Sequence, residues 1–199
     1  MEKFENWEKM EAKGINDFVG LKEGAYICKI LDAREHTSET TGNKSLKVSI
    51  DICEGEFKDY FKKLYDNNPN EDKKWDNNAV KYLGLGESSQ PFFKGFITVV
   101  EGSNKGYTWN WDETTLKDKK VVGVFQPEEY EKQDGTIGVK VRLNAFRNID
   151  KLDTIKVDKI KLLDGQFVDY EQYKSNRTTA TSNNTQSDYV EITAEQLPF

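Results

Sequence analysis

The chain has 199 residues, of which 36% are hydrophobic and 32% charged; this composition suits one domain of ordinary size and excludes a helical membrane span, since no run approaches about 18 apolar residues. One histidine and two cysteines exclude His-pair metal sites, His-based catalytic triads and a disulfide framework. The formal charge of −6 excludes a uniformly basic nucleic-acid binder, so any such role requires Lys and Arg to be gathered on one face.

Residues 2–13, with Phe4, Trp7 and Met10 three apart and Gly14 as a stop, predict a short helix. It belongs to an N-terminal segment, 1–20, expected to pack on the domain or to mediate assembly into a homo-oligomer. Acids stand where a secretory signal would carry bases, so a cytoplasmic protein is expected. Residues 24–33 predict the first strand, and 34–43, closed by Gly42-Asn43, a loop. In the second strand Leu46, Val48, Ile50 and Ile52 alternate with Lys47, Ser49, Asp51 and Cys53, giving one apolar and one mostly polar face. Residues 57–65 interleave aromatics with Lys58, Lys62 and Lys63 and are read as the third strand. A helical stripe of Phe57, Tyr60, Phe61 and Leu64 is the competing pattern.

A surface loop over 66–78 and one or two helical turns over 79–84 follow. Ser88, Ser89 and Pro91 supply capping and first-turn residues, and Phe92, Phe93, Phe96, Ile97 and Val100 recur at helical spacing, predicting a helix over 90–101. Tyr107, Trp109 and Trp111 then alternate with polar residues. Strands over 120–126 and 136–143 form a final hairpin around Asp134-Gly135, the strongest turn signal in the chain. The expected domain spans 21–150, and 151–173 is an extension packed on it. From Lys174 to Gln186 only Ala180 is apolar, too little to offset the entropy of ordering, so a disordered linker is predicted. Within 174–199 it leads to a tip in which Asp188, Glu191 and Glu195 precede Leu197-Pro198-Phe199.

Sequence-tolerant binding of a single strand needs ring faces for bases and cations for phosphates along one groove. Lys47, Tyr60, Lys62, Lys140 and Arg142 fall on the polar faces of the second, third and fifth predicted strands, and Tyr130, Phe146 and Arg147 lie in or beside the final hairpin. For each lysine the plain alternative is a solvated strand face, and for each ring a core contact. Trp109 and Trp111 fit base stacking and helix packing equally. Asp51 with Glu56-Phe-Lys58 has the composition of a magnesium nuclease site, but among so many charged residues such a set arises by chance. The reading is of a protein that is not an enzyme and needs no cofactor.

Three strands, a helix and a closing hairpin give a mainly β fold in the chain order of a five-stranded oligonucleotide-binding (OB) barrel. Across about residues 20–150 the stretches Gly24-Ala-Tyr26, Gly42-Asn-Lys-Ser-Leu46, Asp51-Ile-Cys-Glu-Gly-Glu56 and Glu128-Glu-Tyr130 before Asp134-Gly135 resemble OB-fold single-strand-binding proteins encoded by phages of Gram-positive hosts. The linker, the spaced acids and Leu197-Pro198-Phe199 resemble the tail of bacterial and phage single-stranded DNA-binding proteins. That resemblance implies a protein that coats single-stranded DNA during phage replication or recombination and recruits host or phage replication and recombination proteins through the tip. A protein–protein adaptor on an OB-like barrel is the alternative.

Overall fold

Strand β1 (Gly24–Thr37) pairs on both sides, and the rest of the sheet is arranged by how it does so. In the computed structural model, which describes residues 20–184, its first half runs antiparallel to β4 (Lys120–Glu131) and its second half antiparallel to β2 (Lys44–Ile52). The changeover coincides with a register shift between Ile30 and Asp32, the kind of irregularity that bends a strand and increases its twist. β2 pairs on its far side with β3 (Val80–Gly84), and β4 pairs with β5 (Ile137–Arg147) through a further register shift at Val124/Phe125. Two short strands, β6 (Lys159–Lys161) and β7 (Phe167–Asp169), add to the open side of β4, with Glu128 opposite Lys161.

The outcome is a mainly β protein with one seven-stranded sheet that is not closed. Edge strands β3 and β5 lie against each other without a shared ladder among the described residues. The alternation in β2 turns Leu46, Val48, Ile50 and Ile52 into the core, where they meet Ile30, Phe125 and Leu143. Helix α2 (Gln90–Ser103), between β3 and β4, covers one end with Phe96, Ile97 and Val100. At the other end Phe61 stacks on Phe125, ring centroids 5.7 Å apart; each buried ring contributes roughly 1.5–3 kcal/mol of apolar transfer. No helix among the described residues is long and apolar enough to cross a membrane.

The third strand is not where the sequence predicts it. Residues 57–65 lead into helix α1 (Tyr60–Asn67), so the helical stripe prevails over the strand pattern. Asp51, at the end of β2, accepts hydrogen bonds from the backbone N–H groups of Phe61 and Lys62, each at 3.1 Å, and so supplies the N-terminal cap that Asp59 does not. β3 instead occupies 80–84, expected as helical turns, because the open edge of β2 gives its backbone partners from Ser45 to Ser49. Residues 34–37, expected as loop, continue β1.

The predicted linker also changes. Helix α3 (Tyr170–Asn184) carries regular backbone through most of 174–186. Its start is tied to the β4–β5 hairpin by Tyr173 Oη, which donates to Glu129 Oε1 at 2.7 Å, and by Arg177, which donates to the Ile137 carbonyl at 3.0 Å. These tertiary bonds order a segment whose composition offers no apolar face. The predicted helix over 2–13 and the tip Leu197-Pro198-Phe199 lie outside the described residues.

Candidate nucleic-acid interface

The face of β1–β2–β3 turned away from the core carries a row of cations and rings. Registers set Lys47 opposite Arg34 of β1 and opposite Tyr82 of β3. The Lys47 ammonium is 5.9 Å from the centre of the Tyr82 ring, and the His36 ring is 5.3 Å from it, tilted by 59°. Tyr82 is 41% exposed, a large ring open to a stacking partner. Alternation along β1 sorts charge: Arg34 and His36 share the face of Lys47, whereas Glu35, opposite buried Leu46, goes to the other side. Asp32, 3.2 Å from Arg34, is the acid at the end of the row.

A second group lies on β4–β5. Tyr130 is opposite Gly138, where an added Cβ would stand 2.7 Å from the ring, so only glycine lets the tyrosine lie flat on the strand. The Lys140 ammonium sits 5.1 Å from the centre of that ring. Nearby, Arg142 and Lys161 approach the two oxygens of Glu128 at 4.0 and 3.8 Å. Lys81 of β3 adds a further cation there; burial lowers its pKa, and the charge of Arg142 acts in the same direction. Three cations around a single carboxylate leave this margin of the sheet positive. Between the two groups, Lys81 and Tyr82 of β3, Asn144 and Arg147 of β5, and Phe92 and Phe96 of α2 border a cavity of 620 Å³.

Of the residues picked from sequence, Lys47, Tyr130, Lys140 and Arg142 sit on these surfaces, and Arg147 borders the cavity, its guanidinium donating to the Phe146 carbonyl at 2.8 Å. Phe146 is not available for stacking: it is buried, its ring 5.1 Å from Phe96 of α2. Tyr60 and Lys62 belong to α1 instead of a strand face. The Tyr60 hydroxyl accepts the Leu21 N–H at 3.0 Å and its ring packs edge-on against Phe57 and Phe61, while Lys62 pairs with Asp66. Sequence reasoning missed Arg34, His36, Tyr82, Lys81 and Lys161. The Thr-rich stretch after Arg34 read as loop and 79–84 read as helix, so neither showed a strand alternation to follow. Asp51, weighed as a metal ligand, spends its carboxylate on three backbone N–H groups, those of Ile52, Phe61 and Lys62.

A different aromatic surface lies beside α2. Phe93, Trp109 and Trp111 line a groove of 940 Å³ that also carries Glu35, Glu87 and Glu113 against one cation, Lys94. Trp109 packs edge-on against Phe93 with centroids 6.2 Å apart, and its buried indole N–H has no acceptor among the described residues. Trp111 is 81% exposed on left-handed backbone, φ 66°, unusual for a bulky side chain. The two tryptophans therefore divide between packing and exposure.

The sequence matches no profile of a known protein family and no curated protein.

Proposed function

We propose that this chain is a single-stranded DNA-binding protein without strong sequence preference, its strand running over the outer face of β1–β2–β3 and on across β5. The observation that carries this reading is the row Arg34–Lys47–Tyr82 with His36 beside it, which joins ring faces to cations on one exposed sheet surface. The strand order β3-β2-β1-β4-β5 with a helix between β3 and β4 supports an OB-type barrel, partly open between β3 and β5. In that fold the face of the second and third strands, flanked by the β1–β2 and β4–β5 hairpins, is the surface for oligonucleotides. Glu35 is directed away from this face, which supports a local basic track on an acidic protein. In the same reading the chain acts in a bacterial host cell during phage replication or recombination, and Leu197, Pro198 and Phe199 engage partner proteins.

The test is fluorescence anisotropy with labelled oligo-dT. The expected result is binding that competes poorly with duplex DNA and weakens with salt, log K falling against log salt by about 0.7 for each phosphate engaged. Absence of oligo-dT binding at low salt overturns the proposal.

A further inference from the structure

The face of helix α3 that meets the β4–β5 hairpin repeats the chemistry of the β1–β2–β3 face at a distance from it. Tyr170 and Tyr173 lie one turn apart with rings 6.2 Å between centroids and inclined by 28°, and across a cleft of 620 Å³ they face Tyr130. Each ring has a cation over it: Lys174 at 4.4 Å from Tyr170, Arg177 at 5.7 Å from Tyr173, and Lys140 at 5.1 Å from Tyr130. Lys132, on the hairpin turn, stands at the rim.

The cleft is built. Tyr173 Oη takes its acceptor from Glu129, whose other oxygen accepts the Leu163 N–H at 3.1 Å, and Arg177 donates both to Tyr173 Oη at 2.8 Å and to the Ile137 carbonyl. Helix and hairpin are thereby fixed at one separation. Besides Glu129, the acids Glu171 and Glu23 are directed at Lys174, at 2.6 and 3.9 Å.

Alternation along β5 links this cleft to the face described above. Asn144, Arg142, Lys140 and Gly138 point to one side at steps of about 7 Å, running from the cavity beside Tyr82 to the cleft, where Gly138 is part of the wall. A cation with a flanking tyrosine at the end of such a row fits an extended strand: bases lie against the tyrosines that border the cleft and phosphates near the cations.

We infer that the α3–hairpin cleft is a second nucleotide-binding segment, which holds additional nucleotides of the same single strand and so lengthens the site beyond the sheet face. The inference rests on the single-strand reading. It gives α3 a binding role in place of a tether.

The experiment measures the affinity of the full chain for oligo-dT of increasing length, with wild type beside Tyr170→Ala/Tyr173→Ala. The expected result is equal affinity for the shortest oligonucleotides that bind. On long ones the variant is about tenfold weaker, as loss of one or two stacked bases requires, and its affinity stops rising at a shorter length. Lys132→Glu, whose exposed side chain leaves the turn intact, is expected to weaken only the long oligonucleotides as well, which separates the effect from misfolding of the tyrosine variant. Coincident length curves for wild type and both variants overturn the second segment alone. Failure of wild type to bind at any length overturns the single-strand reading and this extension with it.

Discussion

Two aromatic surfaces of this protein differ chiefly in the sign of the charge around them. On the β1–β2–β3 face Tyr82 and His36 sit among Arg34 and Lys47, with Asp32 the acid beside Arg34; in the groove beside α2, Trp109 and Trp111 sit among Glu35, Glu87 and Glu113, with Lys94 the cation. Rings alone would recommend the groove, which has the larger ones and, in Trp111, the more exposed one. A polyphosphate strand is repelled by carboxylates and retained by cations, so charge decides in favour of the sheet. The contrast also shows how a chain of net charge −6 can present a basic track. Consecutive residues of a strand point to opposite faces, and Arg34, Glu35 and His36 are thereby sorted without any change in composition.

Several substitutions sharpen or break this contrast. Reversing both central cations, Arg34→Glu with Lys47→Glu, is expected to weaken oligo-dT binding about a hundredfold at low salt and to flatten its salt dependence; anisotropy titrations at several salt concentrations check this, with circular dichroism confirming the fold. Tyr82→Ala removes one stacking ring and is expected to weaken binding about tenfold.

Lys81→Met tests the margin at β3 and β5, where a half-buried ammonium is held at a cost. An affinity loss of about threefold is expected, the scale of one partly screened phosphate contact, together with a higher Tm. The pH dependence has a definite sign. The folded state lowers the Lys81 pKa, so it binds that proton less tightly than the unfolded chain does, and the handicap of the wild type shrinks as pH rises toward the ordinary 10.5. Thermal melts should show the gap between variant and wild type closing in that direction. The smallest effect belongs to the groove: Trp111→Gly is expected to leave oligo-dT affinity within about twofold of wild type, since the proposed path of the strand lies elsewhere. Relief of the left-handed backbone should raise stability by about 1 kcal/mol, read by chemical denaturation.

The sequence made the central β-architecture legible where one face is buried. The alternation in β2, the Asp134-Gly135 turn and the apolar stripe of α2 all correspond to observed elements, because each is a local pattern imposed by a single core. Two assignments failed because the deciding interaction comes from elsewhere in the chain. α1 is capped by Asp51, from a strand before it, and β3 exists because the edge of β2 offers partners. The polar start of α3 is likewise ordered by Glu129 and Ile137, some 40 residues earlier. For the site, Lys47, Tyr130, Lys140 and Arg142 were readable as polar-face residues of well-patterned strands. Tyr82 and His36 were not, since 79–84 read as helical turns and 34–43 as the loop that follows the first strand. Phe146, two residues after Asn144, the extra residue that β5 carries opposite Val124 and Phe125, turns inward against Phe96, which no simple alternation could indicate.

Photo-cross-linking of an oligo-dT in which iodouracil replaces thymine, followed by mass-spectrometric mapping of the attached peptides, places the strand directly. The account predicts adducts at Tyr82 and His36. Adducts at Trp109 and Trp111 instead, with the β1–β2–β3 face unlabelled, would contradict it.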